Sequence, residues 1–217
     1  MGRLRVLMRV AGLVAVLVAC VAGYALWRPF ARHNPWPRWF FAALNRIAGI
    51  RARIVGSASR RGAFLLANHV SWVDIPAIAA ATGAAFVGHD GLAGHPVMRW
   101  LCELNDTVFI ARHDRSSVTR QVDQVRAAIR DTGALAVFPE GTCSDGVSLL
   151  PFKSSLLSAL DPVPEGISVQ PVWLDYGSEV PEWAWVGEEA GIDNFVRVLA
   201  RKRPLAVTVH FLPPLSG

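Results

Sequence analysis

The chain of 217 residues has only three cysteines, and its first 61 positions contain no acidic residue. Because Cys20, Cys102 and Cys143 are few and widely spaced, they exclude a disulfide framework and a cysteine-rich zinc site, and they favour a reducing compartment. Internal repeats and low-complexity segments are also absent, and only 18% of the residues are charged. This composition excludes a disordered chain and predicts one substantial core.

The missing acids give the two parts of the chain opposite charge. Residues 1–61 contain eleven of the 22 basic residues, all of them arginine, whereas the first acid is Asp74. The rest of the chain carries eleven bases together with all 17 acids. A solvated charged face would not explain the missing acids, so this pattern indicates an anionic surface as the partner of the first part.

The longest uncharged apolar run, residues 10–27, lies in the basic part of the chain. As a helix it would span roughly 27 Å, close to the ~30 Å of a bilayer's hydrocarbon core. Arginines then alternate with aromatic residues, a pattern typical of a helix in the lipid headgroup layer. We therefore predict a membrane anchor and interfacial amphipathic helix over residues 1–55, and a folded domain over residues 56–217.

The N-terminal part also resembles two other kinds of segment. Basic residues before an apolar run and the segment from Leu17 to Cys20 resemble the signal peptide of a lipoprotein, but the arginines just downstream would oppose export. The pI near 9.7 and the mixture of arginine with tryptophan are also typical of nucleic-acid binding. Since the bases lie beside a run of membrane length, we expect membrane lipids and no nucleic acid as partners.

Short apolar runs alternate with helical stretches from about Ile54 onward. The predicted strands are residues 62–67, 84–88, 107–111, 134–138, 169–175 and 205–211. The predicted helices are residues 73–81, 96–104, 117–132, 154–160 and 190–202. This alternation predicts a single α/β domain, with a largely parallel or mixed sheet flanked by helices.

The end of the first predicted strand carries a possible proton-transfer pair. His69 follows the strand directly, and Asp74 lies one turn into the next helix, so the two side chains can meet across the bend. The carboxylate would fix one imidazole nitrogen and leave the other free to act as a general base. In a structural alternative, Ser71 caps the helix and Asp74 occupies its first turn. Ser71 as a nucleophile has no second base near it in sequence.

Two further strand ends carry polar groups. One apolar strand ends at Arg112, which is either a solvated cation or a fork for a phosphate or carboxylate. Another opens after Phe138 into a turn with the carboxylate of Glu140 and a glycine, Gly141, whose backbone can approach a ligand. Lys153, at the start of the next predicted helix, is either a surface lysine or a contact for an anionic ligand.

Four blocks of the sequence resemble the lysophosphatidic acid acyltransferases of the glycerolipid acyltransferase superfamily. The segment from Asn68 to Asp74 looks like the family's Asn-His-x-Ser-x-x-Asp block, and the segment from Phe138 to Thr142 looks like its acceptor-binding turn. Residues 109–112 and 169–172 are similar to the second and fourth blocks. The first and third blocks, in the right order and about seventy residues apart, make this a specific resemblance.

The resemblance implies a role for each matching residue. In the family, the histidine and aspartate of the first block form the catalytic dyad, which here are His69 and Asp74. The implied acceptor-binding residues are Arg112, Glu140, Gly141 and Thr142, with supporting roles for Asn68, Ser71, Pro139 and Lys153.

The implied activity is transfer of a fatty acyl group from acyl-CoA or acyl-carrier protein to the free hydroxyl of a lysolipid, without a bound cofactor. The other histidines show no paired metal spacing, so no metal is expected either. We expect the enzyme at the inner, cytoplasmic membrane, with residues 56–217 as a catalytic domain facing the cytoplasm. A non-catalytic membrane-binding or lipoprotein module is the alternative from a different class.

The acceptor expected from the family is 1-acyl-sn-glycerol-3-phosphate, which would give phosphatidic acid. Three residues depart from the family pattern: Asp106 stands where glycine is usual, Cys143 where arginine is frequent, and Ser168 where proline is frequent. Without an arginine at position 143, the expected headgroup site has one cation fewer. The run from Gly141 to Phe152 also looks like a bacterial branch that includes acyltransferases acting on lyso-ornithine lipid, which is therefore the alternative acceptor.

Overall fold

A computed structural model describes residues 2–31, 34–59, 62–89, 94–110, 123, 127–129, 132–153, 157, 163 and 165–215. Its helices are α1 (Gly2–Trp27), α2 (Trp36–Ala48), α3 (Asp74–Thr82), α4 (Pro96–Leu104) and α5 (Gly191–Ala200), with a 3-10 helix over Gly177–Glu182. Its strands are β1 (Ile50–Gly56), β2 (Ala63–Ala67), β3 (Ala85–His89), β4 (Val108–Ile110), β5 (Ala134–Val137), β6 (Ser168–Asp175) and β7 (Leu205–Phe211).

The strands form one mixed sheet of seven, in the order β1-β7-β6-β2-β5-β3-β4. Strands β2 to β6 run parallel to one another, whereas β7 pairs with β6 in the antiparallel direction and β1 runs parallel to β7. The apolar strand β2 lies in the middle, between β5 and β6, where both of its faces are covered. The predicted fold class, an α/β sheet flanked by helices, is confirmed.

Strand β1 is the element that the sequence patterns did not predict. The interfacial helix was predicted to continue to residue 55, but α2 ends at Ala48, and Gly49 closes it with a left-handed φ of 81°. Residues 50–56 then pair with β7 at the edge of the sheet. Arginines suit such an edge because charge opposes pairing with another strand.

Most of the predicted helices and strands are present in the structure, with small shifts at their ends. The predicted helices over residues 117–132 and 154–160 fall mainly outside the described residues. In the first of them, residues 123, 127–129 and 132 are described, and all are helical.

Helix α1 both contacts the folded domain and exposes apolar side chains. Its length and hydropathy would suffice to cross a membrane, and most of it is exposed. Its first turns pack on the core through Val6, Val10 and Leu13. Arg5 donates to the backbone oxygen of Ala200, so the N-terminal end of α1 is fixed to the C-terminal end of α5. The division into an anchor of residues 1–55 and a catalytic domain stays a prediction.

Candidate active site

The bend between β2 and α3 brings the predicted pair of side chains together. His69 Nδ1 lies 2.8 Å from Asp74 Oδ2. The Asp74 side chain is fully buried, whereas that of His69 is 17% exposed. Because Nδ1 is occupied by the carboxylate, Nε2 is the nitrogen left for proton transfer with a substrate.

Asp74 is held by more hydrogen bonds than its bond to the imidazole. Its Oδ2 also accepts from the backbone N–H groups of Val70, at 2.7 Å, and Ser71, at 2.9 Å. The hydroxyl of Tyr176 donates to Oδ1. Burial raises the pKa of Tyr176 well above 10, and the charge and hydrogen bond of Asp74 raise it further. Tyr176 therefore stays protonated and fixes the orientation of the carboxylate.

Tyr176 is a site residue that the sequence analysis missed. It follows β6 directly, and β6 runs parallel to its neighbour β2, so the residues after both strands meet at the same edge of the sheet. The sequence feature that could have identified Tyr176 is a tyrosine placed directly after a strand parallel to β2.

An aromatic wall fixes the plane of the imidazole. The ring of Phe138 stacks on His69 with centroids 4.0 Å apart and planes 15° apart. Phe86 stacks behind Phe138 at a centroid distance of 6.0 Å. The histidine is thus held between a carboxylate at one nitrogen and a packed ring on one face.

Glu140 has a different position from the one that the family resemblance implied. Its side chain is 1% exposed. Oε1 accepts from the backbone N–H of His69 at 2.9 Å, and Oε2 accepts from that of Leu150 at 2.8 Å. In the structure, the carboxyl group therefore holds the backbone of the loop that carries His69, and the expected role in acceptor binding stays a prediction.

Two of the predicted supporting residues also stabilise this loop from within. Asn68 is buried and exchanges two hydrogen bonds with the backbone of Leu174, at 3.1 and 2.7 Å, which joins the ends of β2 and β6. Ser71 is fully buried, and its hydroxyl has no partner among the described residues. The backbone N–H of Ser71 donates to Asp74, so Ser71 supports the dyad through its main chain.

Three of the remaining predicted residues, Pro139, Gly141 and Thr142, lie on the turn after β5. Gly141 has a φ of 70°, and its N–H donates to the oxygen of Phe138, while the neighbouring Thr142 is exposed. The backbone N–H of Lys153 donates to the oxygen of Pro139, and the lysine is exposed close to the turn. Arg112 lies outside the described residues, so its predicted contact with the acceptor stays a prediction.

Cys143 lies against the dyad. Both the N–H and the hydroxyl of Ser144 donate to the backbone oxygen of His69, at 2.7 and 3.1 Å. This brings the Cys143 thiol within hydrogen-bonding range of the His69 imidazole. Position 143, where the family frequently has arginine, therefore belongs to the site.

The surroundings of His69 change its proton affinity. Burial lowers the pKa of His69, but the hydrogen bonds to Asp74 and Cys143, together with the negative charge of Asp74, outweigh that effect and raise it from 6.5 to about 10. In the free protein the imidazole is therefore mainly protonated at neutral pH. A general base must be neutral before it accepts a proton.

We expect kcat/KM for acyl transfer to rise with pH up to about 10, because the fraction of neutral His69 increases until the pH passes its pKa. The stability of the fold should change in the opposite direction. Because the pKa of His69 is higher in the folded state than in the unfolded state, the protonated imidazole stabilises the fold fully below pH 6.5. This stabilisation is lost as the pH passes about 10. Rate profiles and denaturant unfolding over this range measure both effects. His69→Gln should lose this part of the pH dependence of stability, and a kcat/KM that falls with pH would contradict the assignment.

Comparison with known proteins gives a consistent result over the whole chain. The family model described as Acyltransferase matches residues 26–175. The lyso-ornithine lipid O-acyltransferase of Rhodobacter capsulatus is 32% identical, over 99% of this chain and 83% of that protein. The 1-acyl-sn-glycerol-3-phosphate acyltransferase of Neisseria gonorrhoeae is 34% identical, over 58% of this chain and 51% of that protein.

One solved structure is similar along nearly the full chain. The crystal structure of the 1-acyl-sn-glycerophosphate acyltransferase PlsC from Thermotoga maritima covers 99% of this chain, with a TM-score of 0.65 and 21% identity. This likeness concerns the fold.

Proposed function

The chain belongs to the acyltransferase family, in the group of the lysophosphatidic acid acyltransferases, and we propose that the lysolipid it acylates is lyso-ornithine lipid. That it is an acyltransferase of lysolipids follows from the family; the acceptor is the proposal. The observation that carries it is the Cys143 thiol beside His69, an uncharged group where lysophosphatidic acid acyltransferases frequently have arginine.

Charge explains why this position discriminates between acceptors. A phosphate monoester carries nearly two negative charges and favours several cations around it, whereas an amino-acid headgroup is a zwitterion with one carboxylate. Glu140 is only 1% exposed, and each of its oxygens accepts a backbone N–H, so its carboxylate is directed to the loop backbone. The similarity to a lyso-ornithine lipid O-acyltransferase over 99% of the chain supports the same acceptor.

The proposed reaction is a direct transfer. His69 takes the proton of the acceptor hydroxyl as that oxygen attacks the thioester carbonyl, and Asp74 stabilises the resulting imidazolium. The new ester C–O bond forms, the C–S bond breaks, and the imidazolium returns its proton to the leaving thiolate. The donor is acyl-CoA or acyl-carrier protein, and the scheme requires no cofactor.

The proposed location is the cytoplasmic face of the inner membrane. The exposed apolar side chains of α1 favour the bilayer, and the arginines of residues 1–61, without any acid, favour an anionic lipid surface. The lipid acceptor would then reach the dyad from the bilayer.

Lysophosphatidic acid is the second candidate acceptor. It is supported by the likeness to the Neisseria gonorrhoeae protein, which includes about half of each chain. Lys153, exposed beside the turn after β5, could pair with the carboxylate of one headgroup or the phosphate of the other. Among the residues described around the dyad, position 143 is therefore the one expected to favour one acceptor over the other.

We expect wild-type protein to have the higher kcat/KM with lyso-ornithine lipid when both acceptors are offered side by side. Cys143→Arg adds a cation beside the headgroup and should favour the phosphate by about 1 kcal/mol, a roughly fivefold shift in the ratio of kcat/KM values. Cys143→Ala, which removes the thiol without adding charge, is the matched control and should leave the ratio unchanged. A wild-type preference for lysophosphatidic acid would overturn the proposed acceptor. An unchanged ratio in Cys143→Arg would remove position 143 from the headgroup site.

A further inference from the structure

A cleft of about 780 Å³ lies outside the dyad, between α2, α3 and the edge strand β1. Neither His69 nor Asp74 lines it. None of the described residues around it is acidic, although they come from three different elements. The cleft is therefore a separate site with its own chemistry.

The floor of the cleft is apolar and built from small side chains. Ala42 of α2 and Ala77, Ala80 and Ala81 of α3 face it, and larger residues at these positions would fill it. Ile54 of β1 lines it further along the strand, and the part of β1 up to this residue spans about 13 Å. Apolar residues over this length suit contact with a hydrocarbon chain.

Two arginines line the same cleft. Arg46 belongs to the last turn of α2, and Arg51 is the second residue of β1, directly after the bend at Gly49. Both are exposed, and neither forms an ion pair within the described residues. Two guanidinium groups without a carboxylate partner provide the planar donors that bind phosphate.

The strand directions place these arginines at a defined end of the sheet. Ile50 pairs with Leu205 at the start of β7, and β7 is antiparallel to β6. Since β6 is parallel to β2, the beginning of β1 lies at the end of the sheet where β2 delivers His69. The arginines of the cleft and the dyad therefore lie at the same end of the sheet, and the alanines of the cleft floor extend toward the opposite end.

We propose that this cleft binds an anionic phospholipid of the membrane. Its phosphate lies on Arg46 and Arg51, and one acyl chain lies along the alanine floor. The apolar floor favours an amphiphile, and the two cations without a carboxylate partner favour a negative headgroup. The flanking helix α2 exposes Trp39, a residue typical of the membrane interface, so a lipid can enter from the bilayer. The site does not depend on which acceptor the dyad uses.

The test measures binding of short-chain phosphatidylglycerol to the full-length protein in a non-ionic detergent. Phosphatidylcholine of the same chain length and inorganic phosphate serve as comparison ligands. We expect both to bind at least about tenfold more weakly, because one lacks net charge and the other lacks a chain. Arg46→Ala/Arg51→Ala should weaken phosphatidylglycerol binding by at least about tenfold. Arg53→Ala, an exposed arginine of the same strand outside the cleft, should not.

A second variant tests the floor while keeping both arginines. Ala80 and Ala81 are half-buried, so Ala80→Leu/Ala81→Leu can fill the groove and should abolish phosphatidylglycerol binding, with unfolding curves as the check on folding. Equal binding of phosphatidylcholine, equal binding of phosphate, or an equal loss in Arg53→Ala would each overturn the proposal. Competition between phosphatidylglycerol and the lysolipid acceptor would also overturn it. The acceptor ratio of kcat/KM values, measured on the same variants, tests the proposed function separately.

Discussion

Alanine at position 69 should lower kcat for acyl transfer by about 10²- to 10⁴-fold, because the hydroxyl of the acceptor would lose its general base. The imidazole is partly exposed and contacts Asp74 through Nδ1 and the ring of Phe138 through one face. The variant should keep its fold and its association with lipid vesicles, but it should lose the stability that the raised pKa of His69 contributes. Release of free thiol from the acyl thioester, measured with each lysolipid, follows the reaction directly.

The matched control for this experiment is His95→Ala. His95 is exposed, precedes α4 and makes no side-chain capping bond, so its loss should leave the rate unchanged. Asp74→Ala should lower the rate as well, but it is a less clean test because Asp74 Oδ2 also accepts two backbone N–H groups. Wild-type turnover in His69→Ala would remove the histidine from the mechanism. It would favour a membrane-binding module in which this residue is replaceable.

The sequence predicted the dyad because its geometry is local. His69 and Asp74 are separated by one bend between a strand and a helix, and the apolar strand before them marks where the bend begins. That inference does not require knowledge of the strand order. The parallel strands β2 to β6 were predicted for the same reason, since each is a short apolar run between helical stretches.

The contacts that the sequence did not predict join residues that are distant along the chain. Tyr176 reaches Asp74 across 102 positions, and Glu140 reaches the backbone of His69 across 71. Both depend on which strands are neighbours in the sheet, and apolar periodicity does not contain that information. The Glu-Gly turn therefore looked like a ligand contact, although the carboxyl of Glu140 faces inward.

The arginine-rich composition of residues 1–55 gave one wrong prediction of secondary structure and one incomplete prediction of an arginine's contacts. Residues 50–55 were assigned to an interfacial helix, but they form an edge strand, where exposed arginines are equally suitable. Arg38 was expected in the headgroup layer, yet it donates to the backbone oxygens of Ala80 and Ala81 at the C-terminal end of α3. A cation at a helix C-terminus is favourable without any lipid, so charge alone does not identify a membrane contact.

Replacing Glu140 with alanine should destabilise the protein by about 2–6 kcal/mol, because two backbone N–H groups would lose their acceptor in a buried site, at about 1–3 kcal/mol each. These are the N–H groups of His69 and Leu150. Glu140→Gln keeps one acceptor oxygen and should lose roughly half as much. Since the backbone of His69 would no longer be fixed, kcat should fall in both variants, with the acceptor KM little changed. Denaturant unfolding and steady-state kinetics measure the two effects.

Glu189→Ala is the matched control. Glu189 is a partly exposed carboxylate that bonds to Arg197 and Asn194, and none of these residues contacts the dyad. Its loss removes bonds of a partly exposed carboxylate far from His69, so it should leave kcat unchanged. The two roles considered for Glu140 predict different kinetics. A normally stable Glu140→Ala protein with a raised acceptor KM would restore the acceptor-binding role, whereas low stability together with a low kcat would support the structural role. The structure favours the second result, because both carboxyl oxygens already have backbone donors.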